Sequence, residues 1–211
     1  MKDFDLSLYL VTDRELSLGR PLEFIVEEAV KGGVTMIQLR EKNCSSHEFY
    51  ELALRLKELL SPLRVPLIIN DRLDIALAAN ADGLHIGQSD LPWKVARKLL
   101  GKDKILGLSV ETVQQAIESN EMDVDYIGIS PVFATPTKTD TFEPFGPEGV
   151  TKVSSLSKHP TVAIGGIKLS NARQIIACGA GGIAVVSAIS SAENPMKAAQ
   201  LLKNEILIST K

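Results

Sequence analysis

The chain has 211 residues, of which 45% are hydrophobic, so it can bury a complete core. Its 23 basic and 26 acidic side chains nearly cancel to a net charge of −3, which argues against binding to a nucleic-acid backbone. The N-terminal residues lack the apolar segment of a secretory signal, and no apolar run is long enough to span a bilayer. The two cysteines, Cys44 and Cys178, lack metal-ligand spacing, as expected for free thiols in a reducing compartment. These features predict a soluble cytoplasmic protein that binds neither nucleic acid nor membranes.

Short apolar runs rich in Val, Ile and Leu alternate with segments of helical period along the whole chain. In chain order, the predicted buried strands are 8–13, 36–41, 67–71, 83–87, 104–110, 125–130, 161–166 and 182–190. The predicted amphipathic helices are 21–31, 46–60, 73–80, 91–100, 113–121, 148–156, 170–178 and 195–207.

Near-continuous apolar strands that alternate with helices indicate parallel βαβ units, covered by helices. Eight such units, without a linker or a change of composition, predict a single α/β domain over residues 1–211, a (β/α)8 TIM barrel near the lower size limit for that fold. A doubly wound sheet with an extra strand is the main alternative.

The connection over residues 131–147 is unusually long and contains Pro, Thr, Gly and charged residues without a helical or strand period. Loops longer than about 12–15 residues in a compact domain are usually functional lids or disordered segments. Because this loop follows the sixth strand, it would lie over one mouth of the barrel. We therefore expect a lid.

Polar residues collect after the predicted strands, where the active site of a TIM barrel lies, whereas the helix-to-strand connections look ordinary. Gly165-Gly166, taken alone, is as compatible with a simple turn before a helix as with a binding site. Val186-Ser187 on the eighth strand changes that balance, because the loops after strands seven and eight of such barrels often hold a phosphate with backbone N–H groups.

Two neighbouring predicted strands end in an amide followed closely by a carboxylate, as Asn70-Asp71 and as Gln88-Ser89-Asp90. Each carboxylate could instead cap a helix N-terminus, especially Asp90. Two carboxylates about 4 Å apart would repel by about 4 kcal/mol at an effective dielectric constant of about 20. A Mg²⁺ ion removes that repulsion and joins carboxylates to substrate phosphates. The sequence therefore predicts a magnesium site at Asp71 and Asp90.

Arg40, Lys42 and Lys138 are predicted at the same mouth of the barrel. Single cations of this kind are usually solvated surface charges. Three of them at one mouth favour an anion site, since Arg offers a two-pronged contact to phosphate and Lys a compact charge. His85, in the middle of a strand, is equally compatible with a buried structural histidine and with a substrate contact.

In an ordered set of motifs the chain resembles the thiamine-phosphate synthase family, also called thiamine-phosphate pyrophosphorylases. Each motif is weak alone, but the ordered set covers almost the whole chain. The motifs are Gln38-Leu-Arg-Glu-Lys42, Asn70-Asp71, Gly83-Leu-His-Ile-Gly-Gln-Ser-Asp90, Gly107-Leu-Ser109, Thr135-Pro-Thr-Lys138, Ala163-Ile-Gly-Gly166 and Val185-Val-Ser-Ala-Ile189.

The resemblance implies a transferase that couples an aminopyrimidine methyl diphosphate to a hydroxyethylthiazole phosphate, or its carboxylated form, with release of diphosphate and formation of thiamine phosphate. It implies Mg²⁺ as cofactor, held by Asp71 and Asp90. The implied contacts to the pyrimidine diphosphate are Gln38, Leu39, Arg40, Glu41, Lys42, Asn70, Ser109 and Lys138, with Arg40, Lys42, Ser109 and Lys138 acting in catalysis. The implied contacts to the thiazole phosphate are Thr135, Pro136, Thr137, Gly166, Val186 and Ser187.

Two rival functions are weaker. The related thiazole tautomerase has the same barrel, but it carries a histidine where this chain has Ser130, and it lacks the pair seen here as Gln88 and Asp90. A non-catalytic sensor would be expected to lack one of the metal or cation ligands. Glu111 departs from the histidine found in many synthases. The sequence leaves open whether the protein forms a homo-oligomer.

Overall fold

The computed structural model describes residues 4–134 and 143–209, and its eight parallel strands form a closed barrel. The strands are β1 Leu8–Val11, β2 Met36–Leu39, β3 Leu67–Asn70, β4 Gly83–Ile86, β5 Ile105–Val110, β6 Tyr126–Ile129, β7 Thr161–Ile164 and β8 Gly182–Val185. Each strand pairs with its neighbours in sequence, and β1 closes the barrel on β8 with Leu8 opposite Ile183. The predicted TIM barrel is confirmed, and the doubly wound sheet is excluded.

Helices cover the outside of the barrel and lie within a few residues of their predicted positions. They are α1 Leu22–Lys31, α2 Ser46–Leu60, α3 Leu73–Ala78, α4 Trp93–Leu100, α5 Val113–Ser119, α6 Gly146–Leu156, α7 Leu169–Ala177, α8 Ser187–Ser190 and α9 Pro195–Ser209. The helix α2 begins with a capping box, in which Ser45 and Glu48 satisfy each other's backbone N–H groups.

One predicted strand is too long. The strand expected over 182–190 ends at Val185, and the short helix α8 follows it. At Val186 the backbone turns out of the sheet, and the N–H of Ser190 donates to its carbonyl at 2.9 Å. The apolar run continues through this turn because Ile189 is also buried, so composition alone did not show where the strand ends.

Alternate residues of each strand face opposite sides of the barrel wall, which produces two cores. Outward residues such as Leu8, Leu10 and Leu39 pack between the sheet and the helices. Inward residues such as Tyr9 and Met36 fill the lower part of the barrel interior.

The connection after β6 is held at both of its described ends. The N–H of Phe145 donates to the carbonyl of Pro131, and that of Gly146 to the carbonyl of Val132, each at 2.9 Å. Residues 135–142, the middle of the predicted lid, lie outside the described residues, so the lid stays a prediction. In the part of the chain that the structure covers, no helix is both long and apolar enough to cross a bilayer.

Candidate active site

A cavity of about 910 Å³ opens at the carboxyl ends of the strands. This is the face on which the sequence concentrates its polar residues. Of the predicted site residues, those that line the cavity are Gln38, Arg40, Lys42, Asn70, Asp71, Asp90, Ser109, Gly166, Val186 and Ser187. The structure thus brings together residues from six strands that are distant in sequence.

Asp71 and Asp90 converge at the ends of β3 and β4, and their carboxyl groups lie within hydrogen-bonding reach of each other. Asp71 has a left-handed backbone with φ of 61°, and its N–H donates to the carbonyl of His85 at 2.9 Å. Oδ2 of Asp90 accepts a 2.7 Å hydrogen bond from the N–H of Gly87. Neither acid caps a helix, because the residues before α3 and α4 are Arg72 and Pro92.

The two carboxyl groups differ in their proton affinity. Burial raises the pKa of Asp90, and the adjacent Asp71 raises it further, which outweighs the hydrogen bond from Gly87. Burial also acts to raise the pKa of Asp71, but the Lys42 ammonium and the contact with Asp90 hold it below its ordinary value. A negative charge is therefore concentrated on Asp71, with Asp90 positioned to share a proton with it.

These two acids fit a Mg²⁺ ion by the chemistry of their oxygen atoms. Among residues 4–134 and 143–209 there is no group of three or more His, Cys, Asp or Glu side chains that could hold a metal. Magnesium is commonly held by one or two carboxylates together with substrate phosphates and water, rather than by a complete protein cage. The structure thus supplies the carboxylate share of such a site.

Two of the three predicted cations reach the cavity, each beside a carboxylate. The Lys42 ammonium lies 2.7 Å from Oδ2 of Asp71. A guanidinium nitrogen of Arg40 lies 3.2 Å from Oδ2 of Asp13, which holds the Arg40 side chain at the cavity edge. Lys138 lies outside the described residues, as do Thr135, Pro136 and Thr137, so their assignments stay predictions.

Two predicted contacts do not reach the cavity. Leu39 is fully buried in the outer core, and Glu41 turns toward Arg14, whose Nε lies 3.0 Å from its carboxylate. The cavity is instead lined by Gln38, Arg40 and Lys42. The period of two along a strand explains this pattern, because a continuous five-residue motif must send alternate side chains to the other face.

The loops after β7 and β8 lie together at the opposite side of the cavity. Gly165 and Gly166 both have positive φ, of 106° and 66°. A Cβ on Gly166 would approach the Cβ of Phe133 to 2.7 Å, so only glycine fits there without displacement. Val186 and Ser187 occupy the junction between β8 and α8 rather than the strand itself. This end of the cavity keeps the backbone accessible to a ligand.

His85 is buried and also lines the cavity, so it meets both interpretations of its role. Its ring nitrogens lie 2.9 Å from the Tyr126 hydroxyl and 2.9 Å from Oγ of Ser109. Sequence reasoning missed Tyr126 and Tyr9, which form the floor of the cavity. The available signal was a polar-tipped aromatic residue at an inward position of an otherwise aliphatic strand.

A TIM barrel with paired acids, cations and a glycine turn around one cavity is equipped to handle phosphate esters. Residues 8–189 match the family model described as thiamine monophosphate synthase. The thiamine-phosphate synthase of Leptospira biflexa is 52% identical over 202 residues, which cover 94% of this chain and 96% of that relative. That of Syntrophomonas wolfei is 55% identical over 194 residues, or 92% and 93% of the two chains.

This chain belongs to the thiamine monophosphate synthase family. A solved structure of thiamine phosphate pyrophosphorylase from Pyrococcus furiosus is similar throughout, with a TM-score of 0.90, 38% identity and coverage of 98% of both chains. The family that the sequence motifs predict is therefore confirmed.

Proposed function

We propose that this chain is a Mg²⁺-dependent thiamine-phosphate synthase that transfers an aminopyrimidine methyl group from its diphosphate to the nitrogen of a thiazole phosphate. Diphosphate leaves and thiamine phosphate forms. The observation that carries the metal dependence is the contact of Asp71 with Asp90 beside Lys42. The relatives' names support the reaction.

The pyrimidine diphosphate fits the side of the cavity formed by β2 to β5. Gln38, Asn70 and Ser109 offer neutral hydrogen-bonding groups inside the barrel, and Arg40 and Lys42 lie farther out along the β2 edge. This order matches a substrate with a neutral ring at one end and a multiply charged group at the other. Asp13 and Asp71 hold the two cations in place until substrate oxygens take over these contacts.

The thiazole phosphate fits the opposite side, beside Gly166, Val186 and Ser187. Glycine at positive φ leaves the backbone N–H groups accessible to a phosphate, which needs no cationic side chain in such a turn. Ligands on the two sides of one cavity would face each other across its centre. Their reacting atoms would thereby meet, which supplies the proximity contribution to the rate.

The chemistry requires help for the leaving group rather than a nucleophile from the protein. An electron-rich aminopyrimidine stabilises positive charge on its methylene carbon as the carbon–oxygen bond to diphosphate breaks. Bound Mg²⁺ would neutralise charge that develops on the diphosphate oxygens. Arg40 and Lys42 contribute to the same stabilisation, with Lys138 expected to join them. Cys44 is not among the residues that line the cavity, in keeping with a reaction that uses no thiol.

A thiazole tautomerase activity is the alternative. Ser130 lines the cavity, where the tautomerase carries a histidine, and Gln88 and Asp90 line it as well. The Nε2 of Gln88 donates to the carbonyl of Ser109 at 2.6 Å, which ties the ends of β4 and β5 together beside the acid pair. These residues favour the synthase.

The test is to mix the purified protein with both substrates and Mg²⁺ and to measure thiamine phosphate and diphosphate. The proposal expects equal amounts of the two products, and none when either substrate is omitted. Interconversion of thiazole carboxylate isomers without coupling would instead support the tautomerase. A cytoplasmic location and a homo-oligomeric state stay predictions.

A further inference from the structure

Five side chains inside the barrel form a continuous series of hydrogen bonds below the cavity, here called the interior network: Gln38, Tyr9, Tyr126, His85 and Ser109. Nε2 of Gln38 lies 2.9 Å from the Tyr9 hydroxyl, which lies 2.9 Å from the Tyr126 hydroxyl. The Tyr126 hydroxyl lies 2.9 Å from Nδ1 of His85, and Nε2 of His85 lies 2.9 Å from Oγ of Ser109. The network crosses the barrel from β2 through β1, β6 and β4 to β5.

The hydrogen bonds of this network have one direction. The Gln38 amide nitrogen can only donate, so the Tyr9 oxygen accepts. Among the described residues, the Tyr126 hydroxyl is the remaining partner for the Tyr9 hydrogen, and Tyr126 must then donate its own hydrogen to Nδ1 of His85. Burial raises the pKa of both tyrosines, so both hydroxyls keep their hydrogens.

We propose that the interior network holds His85 in the tautomer with hydrogen on Nε2, and that Ser109 is thereby set as a hydrogen-bond donor toward the cavity. With Nδ1 accepting from Tyr126, Nε2 donates to Oγ of Ser109. The Ser109 hydroxyl hydrogen is then available to a ligand. Tyr9, Tyr126 and His85 act as positioning residues for Ser109, and this assignment rests on the proposed pyrimidine diphosphate site.

The opposite direction would begin at the Gln38 amide oxygen. Tyr9 would donate to that oxygen, Tyr126 to Tyr9, and Nδ1–H of His85 to Tyr126. Ser109 would then donate to Nε2 and present only its oxygen lone pairs to the cavity. An anionic ligand such as a diphosphate would be repelled by that acceptor, and it would gain a hydrogen bond in the proposed direction.

The packing around His85 blocks rotation of its ring. A Cβ on Gly107 would overlap the Tyr126 phenol and lie 2.5 Å from Nδ1 of His85, and one on Gly128 would lie 3.4 Å from Cε1. The His85 and Tyr126 rings also lie nearly parallel, with centroids 5.5 Å apart. The absence of side chains at the two glycines leaves just enough room for the rings, so the two ring nitrogens keep separate partners.

The direct test is nitrogen NMR of the ligand-free protein labelled at its three histidines, with His85 identified by loss of the other signals in His47→Gln and His159→Gln. The proposal expects a hydrogen on Nε2 and an unprotonated Nδ1 that accepts a hydrogen bond. A hydrogen on Nδ1 would overturn it. This spectrum needs no substrate, so it is decided independently of the catalytic activity.

Two tyrosine variants separate positioning from simple packing. In Tyr126→Phe the Nδ1 signal should move, and the KM for the pyrimidine diphosphate should rise about tenfold, the effect of about 1.4 kcal/mol, with a smaller change in kcat. In Tyr9→Phe, Tyr126 can still donate to His85, so the tautomer should persist. The opposite direction predicts that Tyr9→Phe changes the tautomer. Tyr50→Phe, on the outer helix α2, is the matched control and should change neither reading.

Discussion

The Lys42 ammonium lies 2.7 Å from the Asp71 carboxylate, so one ion pair joins a candidate diphosphate ligand to a candidate metal ligand. The Lys42 side chain is 51% exposed, and ion pairs this open to solvent contribute at most about 1 kcal/mol. Exchanging this contact for one to substrate or metal is therefore not prohibitive. The pair keeps both groups at the cavity without fixing them irreversibly.

Replacing Lys42 by glutamine should raise the KM for the pyrimidine diphosphate and lower kcat by roughly 10- to 100-fold, because one charge that stabilises the leaving group is lost. Steady-state kinetics with each substrate varied in turn would show this, and the KM for the thiazole phosphate should change much less. Lys31→Gln is the control, since Lys31 pairs with Glu27 and Glu28 on the outer helix α1. Unchanged kinetics in Lys42→Gln would remove Lys42 from the site. Lys138→Ala is expected to lower turnover by orders of magnitude.

Replacing Asp71 by asparagine should lower kcat by at least about 100-fold, because the acid with the lower pKa supplies the charge that attracts the metal. Asparagine tolerates the left-handed backbone of this residue, with φ of 61°, so the fold should persist. The thermal unfolding midpoint would verify that. Asp74→Asn is the matched control, because Asp74 is an exposed acid on α3 that pairs with Arg72. Wild-type turnover in Asp71→Asn would show that this carboxylate does not hold the metal.

Replacing Asp90 by asparagine should stabilise the metal-free protein near neutral pH while it removes Mg²⁺-dependent activity. The folded pKa of Asp90 is raised above its ordinary 3.8, so the stability it contributes is complete below that pH and is lost as the pH rises through the raised pKa. Asparagine removes that loss and keeps an oxygen acceptor for the Gly87 N–H. The gain should be at most about 1 kcal/mol because the carboxyl group is partly exposed. Denaturant unfolding of both proteins at acidic and neutral pH, without metal, tests the sign. Destabilisation at neutral pH alone would contradict it.

Gly166→Ala should raise the KM for the thiazole phosphate and destabilise the fold by more than about 1 kcal/mol, because alanine is strained at positive φ and its Cβ meets Phe133. Gly101→Ala is the control for strain alone, since Gly101 also has positive φ but has no atom within 4 Å of an added Cβ. It should destabilise without changing the kinetics. If both variants have the same KM, the turn after β7 does not contact the thiazole phosphate.

Much of the site could be predicted because the barrel fixes where polar residues must lie. Once the strands were known, Asp71 and Asp90 had to meet at the same mouth, and their contact in the structure follows from adjacent parallel strands. The alternation of side chains was applied to His85, but not to the motif over residues 38–42, where Leu39 and Glu41 face away from the cavity. Strand period takes precedence over the continuity of a motif.

Other features could not be predicted, for physical reasons. Tyr9 and Tyr126 resemble ordinary core residues in sequence, and their hydrogen bond depends on the barrel radius and on the space left by Gly107. The short helix α8 is hidden within an apolar run, because a buried helix turn and a buried strand have the same composition. The pairing of Glu41 with Arg14 depends on loops whose course the sequence does not specify.

The most direct test of the central claim, that Asp71 and Asp90 hold a catalytic Mg²⁺, is thiamine phosphate formation as a function of free Mg²⁺ in the wild type and in Asp71→Asn. The account predicts no turnover of the wild type in a chelator, recovery on addition of Mg²⁺, and at most a small fraction of that rate in the variant at any Mg²⁺ concentration. Full turnover of the wild type in the chelator, or of Asp71→Asn at the same Mg²⁺ concentration, would contradict it.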